Sequence, residues 1–206
     1  MRWGGQPVID TAITEITPEG PRYRGRLALD LAREGCSFEA VAELLWTGVR
    51  QQVPGHWRLS ARPCDFGTRL DTASRAGSRP PILHLFALAS GMLGAGTTVR
   101  AEIGRGDTLP AGRDLLLVLA GCLGYLARRP MFHTPKGDVR IAEFAARILL
   151  ARPSTRAVEA IDRALVVSAD HELSSSTFAA RVAASTGAEL RACGVDFSFT
   201  PVLDLD

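Results

Sequence analysis

Lysine is almost absent from this chain: of its 24 basic residues all but Lys136 are arginine. The basic residues are scattered and nearly balanced by 22 acidic ones, leaving a formal charge of +2. That balance gives no reason to expect a nucleic-acid or membrane partner. Cysteine is sparse as well. Cys36, Cys64, Cys122 and Cys193 form no CxxC, and no Cys/His group has metal-ligand spacing, so no metal site is expected. Cys122 and Cys193 stand in apolar company that suits buried free thiols of a cytosolic protein. Residues 1–5 lack the apolar core of a signal peptide. The most apolar stretches, 82–95 and 114–127, run to about 14 residues each, short of the ~20 needed to span a bilayer. They read as buried core helices of a soluble, cytoplasmic protein. Internal repeats and low-complexity tracts are also missing.

What is present reads mainly as helix. Residues 7–19 are the exception, a Thr-rich, strand-like or irregular arm ending in the turn Pro-Glu-Gly-Pro. Ser37 offers an N-cap to a helix with Phe38, Val41, Leu44 and Leu45 on one face, stopped by Gly48. Residues 51–79, punctuated by Pro54, Pro63, Gly67 and Gly77, read as a loop-rich connection. Helices are expected over 80–98, 112–128 and 139–150. Ser154 or Thr155 then caps another, with Val158, Ile161 and Leu165 at i, i+3, i+7. After Gly194 the period switches to two, with Val195, Phe197 and Phe199 alternating with polar residues.

Residues 168–187, SADHELSSSTFAARVAASTG, set one histidine beside two carboxylates and a Ser/Thr cluster, between two helical patterns. His171 is therefore expected near the start of the Ala-rich helix, where the dipole and free N–H groups disfavour an imidazolium. A neutral imidazole donates one hydrogen bond and accepts another, which suits stabilisation of an enol. On composition alone His171 reads rather as a capping or salt-bridging residue beside Asp170 and Glu172. The other histidines carry blander readings. His84 is a satisfied residue within an apolar helix, His56 an exposed loop residue beside Trp57, and His133 a solvated loop residue whose alternative is a substrate role. Trp3, Trp46 and Trp57 show no spacing of a stacking platform. Gly91, Gly94 and Gly96 are not followed by Lys-Ser/Thr and form no phosphate loop.

Ala169, Asp170, His171, Glu172, Ser176 and Thr177 closely resemble the first catalytic-histidine motif of the citrate synthase family; Ser174 stands where the family commonly has Asn. Asp10-Thr-Ala-Ile-Thr14 resembles the family's N-terminal strand motif. Tyr23-Arg-Gly25, Asp30-Leu-Ala and Ser37–Trp46 resemble its next helices, and Pro81–Leu85 with Gly94, more loosely, the Pro-containing helix that follows. The resemblance covers about residues 8–187. It implies a mainly α, multi-helical citrate synthase-like fold, truncated, with a short strand-like arm, and a homodimer formed across paired helices such as the two apolar ones. It also implies a Claisen-type condensation of acetyl-CoA, a substrate rather than a cofactor, with oxaloacetate. In that chemistry His171 is the catalytic group that hydrogen-bonds the thioester carbonyl as the enol forms. An Asp removes the methyl proton, a second His polarises the ketone, and arginines bind the carboxylates.

No Gly-rich His motif and no Asp in the right order follow His171, and the place expected for a substrate-anchoring His, near 142–144, holds none. Polarising a carbonyl without a base leaves the carbon acid too weak, so this chain is expected to be inactive by itself. A non-catalytic helical dimerisation or CoA-binding remnant is the alternative. No CoA-binding residue is assigned. The organisation expected is a citrate synthase-like helical region over 1–187, comprising the large domain and the start of the small one, and an unrelated or divergent tail over 188–206. The tail resembles an early barrel strand of family 3 β-N-acetylhexosaminidases. A chimeric chain joined near Gly187 and a divergent C-terminus are the two readings; a glycosidase is not expected, since most of a barrel would be missing.

Overall fold

The structure, a computed structural model, describes residues 11–50, 55–60, 65–74, 80–94 and 108–170. Among them the chain opens on a three-stranded antiparallel sheet in the order β1 (Thr14–Thr17), β2 (Gly20–Tyr23), β3 (Arg26–Leu27). Only part of the expected arm is therefore strand, and Tyr23-Arg-Gly25, read as belonging to a helix, is a hairpin turn instead. Arg24 (φ 49°) and Gly25 (φ 81°) are both left-handed, the backbone that a two-residue hairpin with the native strand twist requires. Gly25 accepts this freely. Pro21 lies in the middle strand but beyond the reach of β3, whose pairing covers only Arg22↔Leu27 and Tyr23↔Arg26.

The sheet leads into α1 (Ala28–Arg33) and α2 (Phe38–Thr47). As expected, Ser37 caps α2, its side chain accepting from the Ala40 amide, and Gly48 ends it in the left-handed conformation (φ 75°). The Arg24 guanidinium donates to the Leu45 carbonyl at 3.2 and 2.8 Å. A cation thus sits at the negative end of α2, which holds the strained Arg24 in place. Every residue from Glu39 to Leu45 is buried. The single apolar face read from periodicity is thus only part of α2. Val41, Leu44 and Leu45 pack with Tyr23, Leu31 and Val166, while Ala42 faces a second cluster with Trp57, Leu117 and Phe144.

Helix α3 (Phe66–Ser74) lies inside the stretch expected to be loop. It joins α4 (Ile82–Gly94), α5 (Leu109–Cys122) and the 3₁₀ turn Leu123–Leu126 around Leu70, Leu85, Leu93, Val118 and Tyr125. The run Leu109–Leu126 is long and apolar enough to cross a membrane by length and composition, but 56% of it is buried inside the fold and it forms part of the core. Cys122 is a buried free thiol, pushed up to about 12 by burial and by the nearby Asp71. Helices α6 (Ile141–Leu149) and α7 (Thr155–Val167) complete the described part. Ser154 caps α7 by accepting from the Ala157 amide.

Candidate functional site

The polar junction at the end of α7 is built by the sheet. The Thr14 hydroxyl donates to Asp170 Oδ2 at 2.5 Å, and the Tyr23 hydroxyl donates to the Val167 carbonyl at 2.8 Å. The Asp170 amide in turn donates to the Tyr23 oxygen at 3.4 Å. Thr14 is 4% exposed and Tyr23 fully buried, so these bonds face little competition from water. Burial is the main reason the Tyr23 phenol is pushed up, which keeps it a donor. Asp170 is the residue before His171. His171 itself, with Glu172, Ser174, Ser176 and Thr177, lies outside the described residues, as does the tail from 188 on.

A second polar centre ties three helices together. The Glu39 carboxylate of α2 accepts from the Ile141 amide at 2.6 Å and so caps α6, whose own N-cap Arg140 offers no side-chain cap. Asp162 of α7 accepts from the Phe38 amide at 2.9 Å and caps α2, while its other oxygen takes Arg140 at 2.6 Å. Arg140 also reaches Glu143 at 3.4 Å. Burial pushes both Glu39 and Asp162 above the usual carboxylate range, against the opposing hydrogen bonds from backbone amides and the charge of Arg140. Among the described residues Glu39 Oε2 has no hydrogen-bond partner. Nearby, Glu43 pairs with Arg113 at 2.6 Å.

A raised carboxylate favours the folded state in its protonated form, so its contribution is fully present below about pH 4.5 and is lost as pH rises through the folded value. Glu39→Gln keeps an acceptor for the Ile141 amide and removes the charge. The variant is expected to be at least as stable as the parent at pH 7 and to lose stability less as pH rises from 5 to 7. Thermal melts of both proteins across that interval check this; a slope unchanged by the substitution would mean Glu39 does not titrate there.

A cleft of ≈ 380 Å³ opens beside this network, lined by Arg140, Glu143, Arg147, Ser154, Glu159 and Asp162 among others. Its two guanidinium groups and three carboxylates nearly cancel, so it offers no strong field for an anionic ligand. The histidines divide differently from expectation. His56 is exposed as predicted; His84, read as a satisfied core residue, is exposed on α4. His133, read as solvated, is half-buried, and its amide donates to the Gly121 carbonyl at 3.1 Å. Trp46 and Trp57, which showed no platform spacing, stack at 5.6 Å with planes 16° apart. Glu39 and Asp162 were missed. The available signal was an acid at an apolar spacing: Asp162 precedes the buried Val166 by four residues.

Comparison with known proteins gives this arrangement a frame. Three solved citrate synthases superpose on it, defining the class as a mainly α-helical protein of the citrate synthase fold. One is the enzyme of the thermophilic archaeon Thermoplasma acidophilum, in a ternary complex with carboxymethyl coenzyme A and oxaloacetate: TM-score 0.72, 16% identity, 93% of this chain and 53% of that one. The Pyrobaculum aerophilum enzyme gives a TM-score of 0.65 and 22% identity over 93% and 52%, and the Thermotoga maritima enzyme 0.67 and 17% over 96% and 55%. The family described as "Citrate synthase, C-terminal domain" matches residues 3–195. The chain belongs to the citrate synthase family. Among curated relatives, a 2-methylcitrate synthase of Mycobacterium tuberculosis is 30% identical over 202 residues, 90% of this chain and 49% of its own length. A citrate synthase of Saccharolobus solfataricus is 28% identical over 174 residues, 80% and 45%. The chain thus spans about half the length of the curated relatives it matches.

Proposed function

We propose that this chain contributes the carbonyl-activating part of a citrate synthase-type condensation, in which acetyl-CoA adds to oxaloacetate. The observation that carries the reading is the match to the family over residues 3–195, which includes the Ala169–Asp170–His171–Glu172 motif. In this reading His171 hydrogen-bonds the thioester oxygen and stabilises the enol. A 2-methylcitrate synthase among the relatives keeps formation of 2-methylcitrate as the competing outcome. The chain acts as a homodimer in the cytoplasm, with the apolar helices α4 and α5 as the candidate pairing surface; Leu83 on α4 is 54% exposed.

The same chemistry needs a base for the methyl proton and a second histidine for the ketone, and the residues following His171 provide neither motif. The chain on its own is therefore proposed to be inactive. The test is thiol release from acetyl-CoA with oxaloacetate, using His171→Ala as control, on samples shown to be helical by circular dichroism and sized by light scattering. The expected result is no release above the control. Release that His171→Ala abolishes would overturn the inactivity and place the base within these 206 residues.

A further inference from the structure

We propose that the junction of α2, α6 and α7 is a proton-operated clasp: Glu39 holds the start of α6 as a neutral carboxylic acid and loosens it on giving its proton to solvent. The observation is an imbalance of charge at a buried place. Three carboxylates, Glu39, Glu143 and Asp162, meet one guanidinium. Among the described residues Arg140 donates to Asp162 at 2.6 Å and to Glu143 at 3.4 Å, not to Glu39. Glu39 is 0% exposed. Its Oε1 accepts from the Ile141 amide at 2.6 Å, while Oε2 has no partner among the described residues. An ionised Glu39 would be a buried charge with one bare oxygen and no counter-ion of its own, an arrangement that desolvation penalises heavily. As an acid it keeps the Ile141 bond through Oε1 and carries its proton on Oε2. Burial is the largest influence and favours the acid against the Ile141 amide; the like charge of Asp162 adds to it and Arg140 opposes it.

The other charges on the elements around Glu39 have engagements of their own. On α2 itself Glu43 pairs with Arg113 of α5 at 2.6 Å, and Asp114 of α5 accepts from the Ser60 amide at 2.8 Å. In the segment whose Gly55 lies against the Glu39 stem, His56 is exposed and Arg58 pairs with Asp138 at 3.0 Å. The hairpin and α1 meet α2 through Val41, Leu44 and Leu45, an apolar contact whose titratable groups are Tyr23 and Cys36. The first turn of α6 depends on Glu39 because its N-cap, Arg140, offers no side-chain cap. Arg140 also keeps a buried Nε without a partner among the described residues. An ionised Glu39 is drawn to that cation in competition with Asp162, which itself caps α2 through the Phe38 amide. Either move loosens a helix start, so acid closes the clasp and rising pH opens it.

The experiment is carbon NMR of the glutamate carboxyls with amide hydrogen exchange, on the full chain, for the parent, Glu39→Gln and Asp162→Asn. Asp162→Asn keeps an acceptor for the Phe38 amide, removes the like charge and releases Arg140. The expected result is a Glu39 carboxyl that titrates above 4.5 in the parent, and lower by about one unit or more in Asp162→Asn. Protection of the Ile141 amide, corrected for intrinsic base catalysis, should fall by up to about tenfold per pH unit between 4.5 and the Glu39 midpoint, then level off. In Glu39→Gln it should stay flat over the same interval. A Glu39 midpoint at or below 4.5 overturns the proposal. So does a midpoint that Asp162→Asn leaves unmoved, or an Ile141 protection that follows one course in the parent and in Glu39→Gln. The parent's own titration decides the matter even where a variant fails to fold.

Discussion

Gly121→Ala is expected to destabilise the protein by about 3 kcal/mol, the upper part of the range for overpacking a filled site, and to lower its melting temperature by roughly 6–12 °C for a chain of this size. A Cβ at this position would stand 2.5 Å from the His133 carbonyl oxygen and 2.6 Å from the Phe132 ring. The first of these is backbone and cannot swing aside. It is also held, because the His133 amide donates to the Gly121 carbonyl at 3.1 Å, so the segment cannot back away without breaking that bond. Gly91→Ala is the matched control. Gly91 lies in α4 with nothing within 4 Å of the added carbon, and replacing it should stabilise the helix by about 0.5–1 kcal/mol. Thermal unfolding followed by circular dichroism separates the two. A Gly121 variant melting with the parent would mean that the 131–133 segment does not pack on α5 as described.

Asp162→Ala is expected to cost about 3 kcal/mol, the lower end of the range for removing one partner of a buried pair. Arg140 would lose its 2.6 Å partner with its side chain only 21% exposed. The amide of Phe38 at the start of α2 would lose its cap as well. Replacing both members, Arg140→Met with Asp162→Leu, should recover most of the loss, since no buried charge is then left alone. A residue of about 1 kcal/mol should persist for the uncapped Phe38 amide. Urea unfolding of Arg140→Met, Asp162→Leu and the double variant closes the cycle, with Asp162→Ala measured alongside. If the double variant is no more stable than Asp162→Ala, the ion pair is not what Asp162 contributes.

Where local chemistry decides a boundary, the sequence was enough to find it. Ser37 and Gly48 frame α2, and Ser154 opens α7, because a side-chain cap and a left-handed stop act within a few residues. Helix α3 was not legible: Phe66 and Leu70 are its only buried residues, too short an apolar pattern to stand out among prolines and glycines. Strands β2 and β3 were hidden because one contains Pro21 and the other has two residues; their existence depends on pairing, not on propensity. Glu39 and Asp162 escaped for a related reason. An acid is solvated by default, and only the arrival of a distant helix start, Ile141 for one and Phe38 for the other, makes burial tolerable. The motif around His171 was legible as a sequence pattern. What the pattern could not reveal is that the residue before the histidine is held by Thr14 and Tyr23, more than 140 positions earlier.

That long-range tie has a kinetic side. Thr14 meets Asp170 across 156 positions, and contacts of such high order form late, because chain closure must be met before they return any stabilisation. At a synthesis rate of about 5–20 residues per second, the first hairpin leaves the ribosome roughly 8–30 s before the segment it docks on. For that interval the Thr14 and Tyr23 hydroxyls lack their Asp170 and Val167 partners, while α1 and α2 already cover the Tyr23 ring. Among the described elements the hairpin is thus made early and its tie to the 167–170 segment is secured late, and substitutions in it should slow maturation more than they alter the finished helices.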